Sequence, residues 1–184
     1  MKNNYIPEVL KVKISKTIYF IYGISLLIAS ILSALSLFTF SIDDNSFLTN
    51  TNSMSQNLLG DAGSYYASFL FYTFGIFAYL IVLFFLVYSI FVLTNRNPRY
   101  FFIRLLLFFV SLVLIPQVLI DYKFSLPFID SIKIWGVFAN QLFDYHKINY
   151  ISYILTFLGI SIYFLSQNLF KLFKLSIPNL NNFF

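Results

Sequence analysis

Four long apolar runs dominate this sequence and limit what it can fold into. A helix that crosses a bilayer needs about 20 apolar residues, because each residue adds about 1.5 Å and the hydrocarbon is roughly 30 Å thick. Residues 17–40, 65–94, 100–120 and 148–165 meet this requirement. Only 10% of the 184 residues are charged, which is too few to cover a soluble domain. The sequence therefore predicts an all-α integral membrane protein with four transmembrane helices.

The basic residues lie beside the ends of these runs and predict the orientation of the chain. Most of them fall on one side: Lys2, Lys11, Lys13, Lys16, Arg96, Arg99, Arg104, Lys171 and Lys174. Short loops rich in Lys and Arg stay in the cytoplasm. We therefore predict a multi-pass protein of the bacterial inner membrane with both termini cytoplasmic. The predicted parts are a basic N-terminus (1–16), a four-span domain (17–166) and a basic exit and tail (167–184).

Two further local features are predicted around the third and fourth spans. Pro116 lies near the end of the third span, where it should bend the helix. Residues 126–143 are too polar to span, yet their apolar residues recur with helical spacing. We predict an amphipathic helix there, interfacial or re-entrant, before the fourth span.

The residues that usually carry chemistry are sparse. No charged residue lies near the middle of a span, and no phosphate-binding loop motif occurs. His146 lies beside Asp144 without a companion nucleophile, which favours a solvated histidine over an acid–base pair. Asp43, Asp44 and Asp61 lack the rhythm of a calcium loop. We predict no catalytic residue, no metal and no cofactor, and no direct binding of nucleic acid, since the basic residues form no stripe.

Small residues recur at helical spacing and predict close helix packing. Ser25, Ala29 and Ser33 follow a four-residue step on the first span. Gly63 and Ala67 do so at the entry to the second span, and Gly75 and Ala78 continue one of its faces. Packing within the chain explains such faces as well as packing between copies does, so both interpretations stay open.

The stretch Asn57–Tyr79, "NLLGDAGSYYASFLFYTFGIFAY", begins as a polar turn and becomes a span without an intervening proline. Its glycines allow backbone conformations and close approaches that larger residues forbid. Asn57 can bond to the nearby backbone in a turn. These residue types predict a fixed entry into a membrane helix.

This stretch resembles the N-terminal four-span membrane domain of the FtsK/SpoIIIE DNA translocases. That family has N-x-x-G-x-x-G-[AS]-[YW]-x-A-D-x-L-[FL]-x-x-F-G-x-x-A-[YF] running into its second span. The residues that match without a gap are Asn57, Gly60, Gly63, Ser64, Tyr65, Ala67, Leu70, Phe71, Phe74, Gly75, Ala78 and Tyr79. Ser68 stands where the family has an acid. In the preceding loop, "SIDDNSF" matches the family pattern at Asp44, Ser46 and Phe47, with Asn45 where proline is usual.

The resemblance implies a non-catalytic anchor that places a DNA translocase at the division septum for chromosome segregation. It also implies self-association as a hexamer and contacts with septal cell-division proteins, besides the lipid bilayer. The family's motor and winged-helix domains have no counterpart in this sequence, so we expect either a piece of a longer translocase or a stand-alone membrane domain. The alternative is a small transporter or channel subunit unrelated to division.

Overall fold

The structure is a computed structural model that describes residues 8–47, 49–51, 54–94, 100–121, 134–146 and 149–167. Secondary structure within these ranges is entirely helical. The helices are α1 (Glu8–Phe38), α2 (Gly60–Phe74), a 3₁₀-helix (Gly75–Ala78), α3 (Tyr79–Leu93), α4 (Phe101–Leu114), α5 (Gln117–Asp121), α6 (Val137–His146) and α7 (Asn149–Gln167).

Within the described ranges, four stretches of helix are long and apolar enough to cross a membrane: Val12–Phe38, Gly60–Leu93, Phe101–Ile120 and Tyr150–Gln167. They overlap the four predicted spans, and the predicted all-α membrane fold is confirmed. The first helix begins well before the apolar run, because lysine favours helix nearly as well as alanine and lets α1 continue through the basic segment. The boundaries predicted for the three parts of the chain stay predictions.

The first and second spans pack along α1 and α3. Gly23 of α1 lies so close to α3 that an added Cβ would come within 2.7 Å of Leu93 Cδ2. Two serine hydroxyls cross this interface, with Ser89 Oγ donating to the Gly23 carbonyl at 2.9 Å and Ser30 Oγ donating to the Val82 carbonyl at 3.0 Å. Small and hydroxyl side chains let membrane helices approach closely and bond across the gap.

The small-residue face predicted on the first span is rotated in the structure. Ser33 is buried as expected, but Ser25 is exposed and bonds within its own helix to the Tyr22 carbonyl. The buried face instead carries Gly23, Leu26, Ser30, Ser33 and Leu37. The step from Ser25 to Ser33 therefore does not follow the face that packs within the chain, and packing of Ser25 between copies stays a prediction.

The third and fourth spans form a second pair, α4 against α7. An added Cβ on Gly159 of α7 would come within 2.7 Å of Leu114 Cβ, so glycine permits this approach.

The predicted bend at Pro116 is present, since α4 ends at Leu114 and α5 begins at Gln117. Arg104 donates from Nη1 to the Leu165 carbonyl at 3.1 Å near the end of α7. Stacked rings of Phe84 and Phe108, with centroids 4.5 Å apart, join α3 to α4.

The second span is broken rather than continuous. α2 ends at Phe74, and the 3₁₀-helix separates it from α3. Gly75 causes the break, because its φ of 59° and ψ of −145° lie outside the helical region. The sequence predicts one helix through this span, with Gly75 and Ala78 on one of its faces. The structure corrects this prediction, because the helix is interrupted at Gly75.

The helix predicted at 126–143 falls partly on residues 122–133, which lie outside the described residues. Within the described part, α6 covers Val137–His146 and packs against α2, α4 and α5. Trp135 and Ala139 are buried there with Ile120 and Ile134. The interfacial or re-entrant position of this segment stays a prediction.

Candidate functional site at the entry to the second span

A buried carboxylate organises the loop between α1 and α2. Asp44 is only 1% exposed, and its carboxylate accepts hydrogen bonds from residues just before α2 and near its start. Its Oδ1 accepts the Gln56 N–H at 2.7 Å, and its Oδ2 accepts the Asn57 N–H at 3.1 Å and the Ser64 hydroxyl at 2.9 Å. The Ser55 and Ser64 hydroxyls also bond to each other at 2.8 Å. A carboxylate bonded in this way joins the loop to the second span.

These hydrogen bonds decide the charge state of Asp44. Burial alone would raise the pKa of this carboxyl. The N–H groups of Gln56 and Asn57 and the hydroxyls of Ser64 and Ser55 outweigh burial, and the pKa of Asp44 lies below its ordinary value of 3.8. Asp44 is therefore ionised at neutral pH.

Asn57 connects the end of α1 to the start of α2. Its Nδ2 donates to the Ser36 carbonyl at 2.8 Å, and its Oδ1 accepts the Leu59 N–H at 3.0 Å. Ser36 in turn donates from Oγ to the Gly63 carbonyl at 2.6 Å. Ser36, Asp44, Ser55, Asn57, Gly63 and Ser64 together form what we call the entry cluster.

The two glycines in the first turn of the second span have different roles. An added Cβ on Gly63 would overlap Asn57 Oδ1 and come within 2.6 Å of Leu59 Cβ, so glycine makes room for the asparagine. Gly60 has a φ of +62° but no atom within 4 Å of the place where its Cβ would be. Gly60 is needed for its backbone conformation alone, whereas Gly63 is needed for space.

Below the entry cluster, two glycines allow two backbone segments to touch. An added Cβ on Gly75 would overlap the Ile134 carbonyl oxygen, and one on Gly136 would overlap the Thr73 carbonyl oxygen. Both glycines have positive φ, 59° and 80°. We call this contact the glycine crossing. It holds the break in the second span against the segment that precedes α6.

The other predicted packing residues lie around these two features. Ala67 and Ala78 are completely buried, and Phe74 stacks on Phe109 with centroids 5.6 Å apart. The Tyr79 hydroxyl donates to the Leu37 carbonyl at 3.2 Å, which ties α3 to the end of α1. The structure places the predicted packing residues in the loop before α2 and along α2, the 3₁₀-helix and the start of α3: Asp44, Asn57, Gly60, Gly63, Ala67, Phe74, Gly75, Ala78 and Tyr79.

Ser68, which stands where the resemblance has an acid, also holds the loop. Its Oγ accepts the Phe47 N–H at 3.2 Å and donates to the Tyr65 carbonyl at 3.1 Å. The Phe47 ring then lies against Tyr65 and Phe69, with centroids 6.0 and 5.9 Å apart. A hydroxyl thus provides the acceptor that a carboxylate could also provide.

Replacing Ser68 with alanine should lower the free energy of unfolding by about 1 kcal/mol, because the Phe47 N–H loses its acceptor. Ser25→Ala is the matched control, since that hydroxyl is exposed and bonds only within its own helix. Equilibrium unfolding of the purified protein in bicelles measures both changes. Equal losses in the two variants would show that Ser68 does not hold the loop.

The other candidate residues do not converge on a site. Among the described residues no group of three or more His, Asp or Glu side chains is placed to hold a metal ion. Asp43 and Asp61 are exposed while Asp44 is buried. Asp144 is exposed, and the His146 side chain lies outside the described part.

Only part of the predicted row of interfacial charges is described. Lys13 and Lys16 are exposed on α1, and Arg104 is half-buried on α4. The Lys11 side chain and residues Arg96, Arg99, Lys171 and Lys174 lie outside the described residues.

Sequence reasoning missed several partners of the matched residues. Ser36, Ser55 and Gly136 were not singled out as packing residues. Serine is common on every face of these helices, so no local signal marked Ser36. The isolated Gly136 beside a tryptophan in an apolar helical pattern was the available signal, because such a glycine often marks a close backbone approach.

One of the comparisons with known proteins identifies a family for this chain. A family model for the 4TM region of DNA translocase FtsK/SpoIIIE matches residues 15–164. Searches of curated proteins and of solved structures found no match. The matched range includes the second and third spans, most of the first and fourth, and the residues of the entry cluster and the glycine crossing. The chain therefore belongs to the family of the 4TM region of DNA translocase FtsK/SpoIIIE.

Proposed function

We propose that this membrane-anchoring region positions a DNA translocase at the division septum during chromosome segregation and performs no catalysis itself. The family match over residues 15–164 is the observation that carries the proposal. The mechanism is positional, because tethering raises the effective concentration of a motor where the septum closes. The alternative of a transporter or channel subunit would need polar side chains converging at mid-membrane.

The chemistry of the entry cluster supports a structural role. A general acid or base must be able to reach a substrate and exchange a proton with it. Asp44 is buried, and its two oxygens accept hydrogen bonds from Gln56, Asn57 and Ser64. A carboxylate engaged in this way serves to hold the loop against the second span.

The proposed orientation has both termini in the cytoplasm of the inner membrane. Lys13 and Lys16 are exposed at one end of the bundle, and Asp43 and Asp61 are exposed at the other end. This separation of charge agrees with the positive-inside rule.

The proposed partners are further copies of the chain, as a hexamer, and septal division proteins. Exposed apolar residues of α1, among them Ile28 and Ile31, offer surface to lipid or to such partners.

A fluorescent protein fused after Phe184 tests the proposal in dividing cells, provided that the fluorophore matures only in the cytoplasm. We expect bright bands at midcell that assemble before constriction ends. The same fluorophore on an unrelated four-span protein is the control for membrane crowding at the septum. An even membrane signal would contradict septal positioning by this region. Cells that lack fluorescence although a blot detects the full-length fusion protein would contradict the cytoplasmic C-terminus.

A further inference from the structure

An open cleft lies between α1 and α3 at the end of the bundle opposite the entry cluster. It has a volume of about 310 Å³ and is lined by Lys16, Thr17, Phe20, Val92 and Leu93. Small-molecule sites in proteins occupy roughly 300–1,000 Å³, so the cleft is large enough for part of a ligand. None of its lining residues belongs to the entry cluster or to the glycine crossing.

The cleft results from the way the two helices end. α1 and α3 touch closely at Gly23, where Ser89 bonds to the Gly23 carbonyl and Leu93 lies against the glycine. α3 ends at Leu93, which lies at the level of Gly23, whereas α1 continues from Gly23 toward its own N-terminus as far as Glu8. Lys16 lies about two turns before Gly23, so α1 runs past the end of its partner there. As far as the described residues show, the space beside the last turn of α3 is the cleft.

The lining combines apolar walls with one cation. Phe20 and Leu93 provide apolar surface, and Lys16 is exposed at the rim. Lys13 lies one turn earlier on the same face, and its carbonyl accepts the Thr17 hydroxyl at 3.1 Å. The loop acids Asp43, Asp44 and Asp61 belong to the opposite end of the bundle. The cleft therefore favours a molecule with an anionic head and an apolar tail.

We propose that this cleft binds one anionic phospholipid, with its phosphate at the Lys16 ammonium and an acyl chain along Phe20 and Leu93. Lysines near the ends of membrane helices extend toward the headgroup region, where phosphates lie. A second protein helix fits less well, because it would bury the charge of Lys16 away from water. The binding of this lipid is independent of the proposed septal function.

Native mass spectrometry of the full chain in mild detergent tests the site. The protein is supplied with phosphatidylglycerol or phosphatidylcholine carrying the same acyl chains. We expect one phosphatidylglycerol retained per chain, at least about fivefold more than phosphatidylcholine. Lys16→Gln should reduce retention of phosphatidylglycerol to the level of phosphatidylcholine, and Lys16→Arg should keep most of it.

Lys13→Gln is the matched control, because Lys13 is exposed on the same face but does not line the cleft. We expect this variant to change retention of phosphatidylglycerol by less than about twofold, since it alters only the overall electrostatic potential at this end of the bundle. Equal losses in the Lys13 and Lys16 variants would overturn the proposal in favour of diffuse attraction. Equal retention of the two lipids by the unmodified protein would overturn it as well. Both lysines are exposed, and circular dichroism checks that each variant is folded.

Discussion

Replacing Gly75 with alanine is expected to lower the free energy of unfolding by about 4 kcal/mol, because two costs add. The first is conformational, since φ of 59° with ψ of −145° is a region that side chains other than glycine rarely adopt. The second is steric, since the new Cβ would overlap the Ile134 carbonyl oxygen. A backbone atom cannot move aside as the tip of a flexible side chain can. Equilibrium unfolding of the purified protein in bicelles measures the loss.

Gly60→Ala is the matched control for the steric part. Gly60 also has a positive φ, but nothing lies within 4 Å of its missing Cβ. Alanine there should cost only the backbone term, roughly 1–2 kcal/mol. Gly136→Ala should resemble Gly75→Ala, because it inserts a methyl group from the other side of the same crossing. If Gly60→Ala proved as damaging as Gly75→Ala, the close approach would contribute nothing to stability.

The Gly75 variant also bears on the proposed function. If the glycine crossing shapes the surface that assembles at the septum, Gly75→Leu should abolish the midcell bands while Gly60→Ala leaves them in place. Crosslinking in liposomes measures self-association of the purified protein, and we expect less self-association for Gly75→Leu than for Gly60→Ala. A Gly75→Leu chain that still assembled at midcell would contradict this role.

Replacing Asp44 with alanine should open the loop between the first two spans. Two backbone N–H groups and the Ser64 hydroxyl would lose their acceptor in a buried place. We expect the free energy of opening this loop to fall by about 3 kcal/mol. The Gln56 and Asn57 amide protons should then exchange roughly 100-fold faster. Hydrogen–deuterium exchange with mass spectrometry resolves this segment. Asp43→Asn is the control, because Asp43 is exposed one residue away.

The same carboxylate predicts a dependence on pH. The pKa of Asp44 is lowered in the folded protein, so its contribution to stability is complete above the ordinary value of 3.8. It is lost as the pH falls through the lower folded-state pKa, because the proton then binds and the hydrogen bonds weaken. Protection of the Gln56 amide, corrected for its intrinsic exchange rate, should fall in that acidic range. Asp44→Asn should remove the dependence, and a dependence that persisted in this variant would assign it to another group.

Much of the architecture was predictable because it depends on local sequence. The bilayer fixes the length of a span, and hydrophobicity along the chain shows where spans lie. Pro116 interrupts a helix through its own ring and missing N–H, so its bend needed no tertiary information. Asp44, Asn57 and Gly63 could be marked in advance, because their residue types suit a tight turn and resemble a known pattern.

The break at Gly75 was not predictable in the same way. Glycine between Phe74 and Ile76 is compatible with an unbroken membrane helix, where small residues are common. Only the contact with Ile134 and Trp135, from a distant part of the chain, shows that the helix bends away there. Likewise, the intrachain face of α1 could not be chosen from sequence, because Ser25 and Ser30 look alike there while only Ser30 bonds to Val82.

The sequence by itself determined the number of spans, the helical class and the residues able to form a fixed entry to the second span. These follow from hydrophobic length and from what each residue type permits its own backbone to do. The tertiary structure alone decided the partners: Ser36 for Asn57, Ser64 for Asp44, and Ile134 for Gly75. The physical reason is that hydrogen bonds and backbone contacts across helices depend on how the spans rotate and approach, which no local pattern specifies.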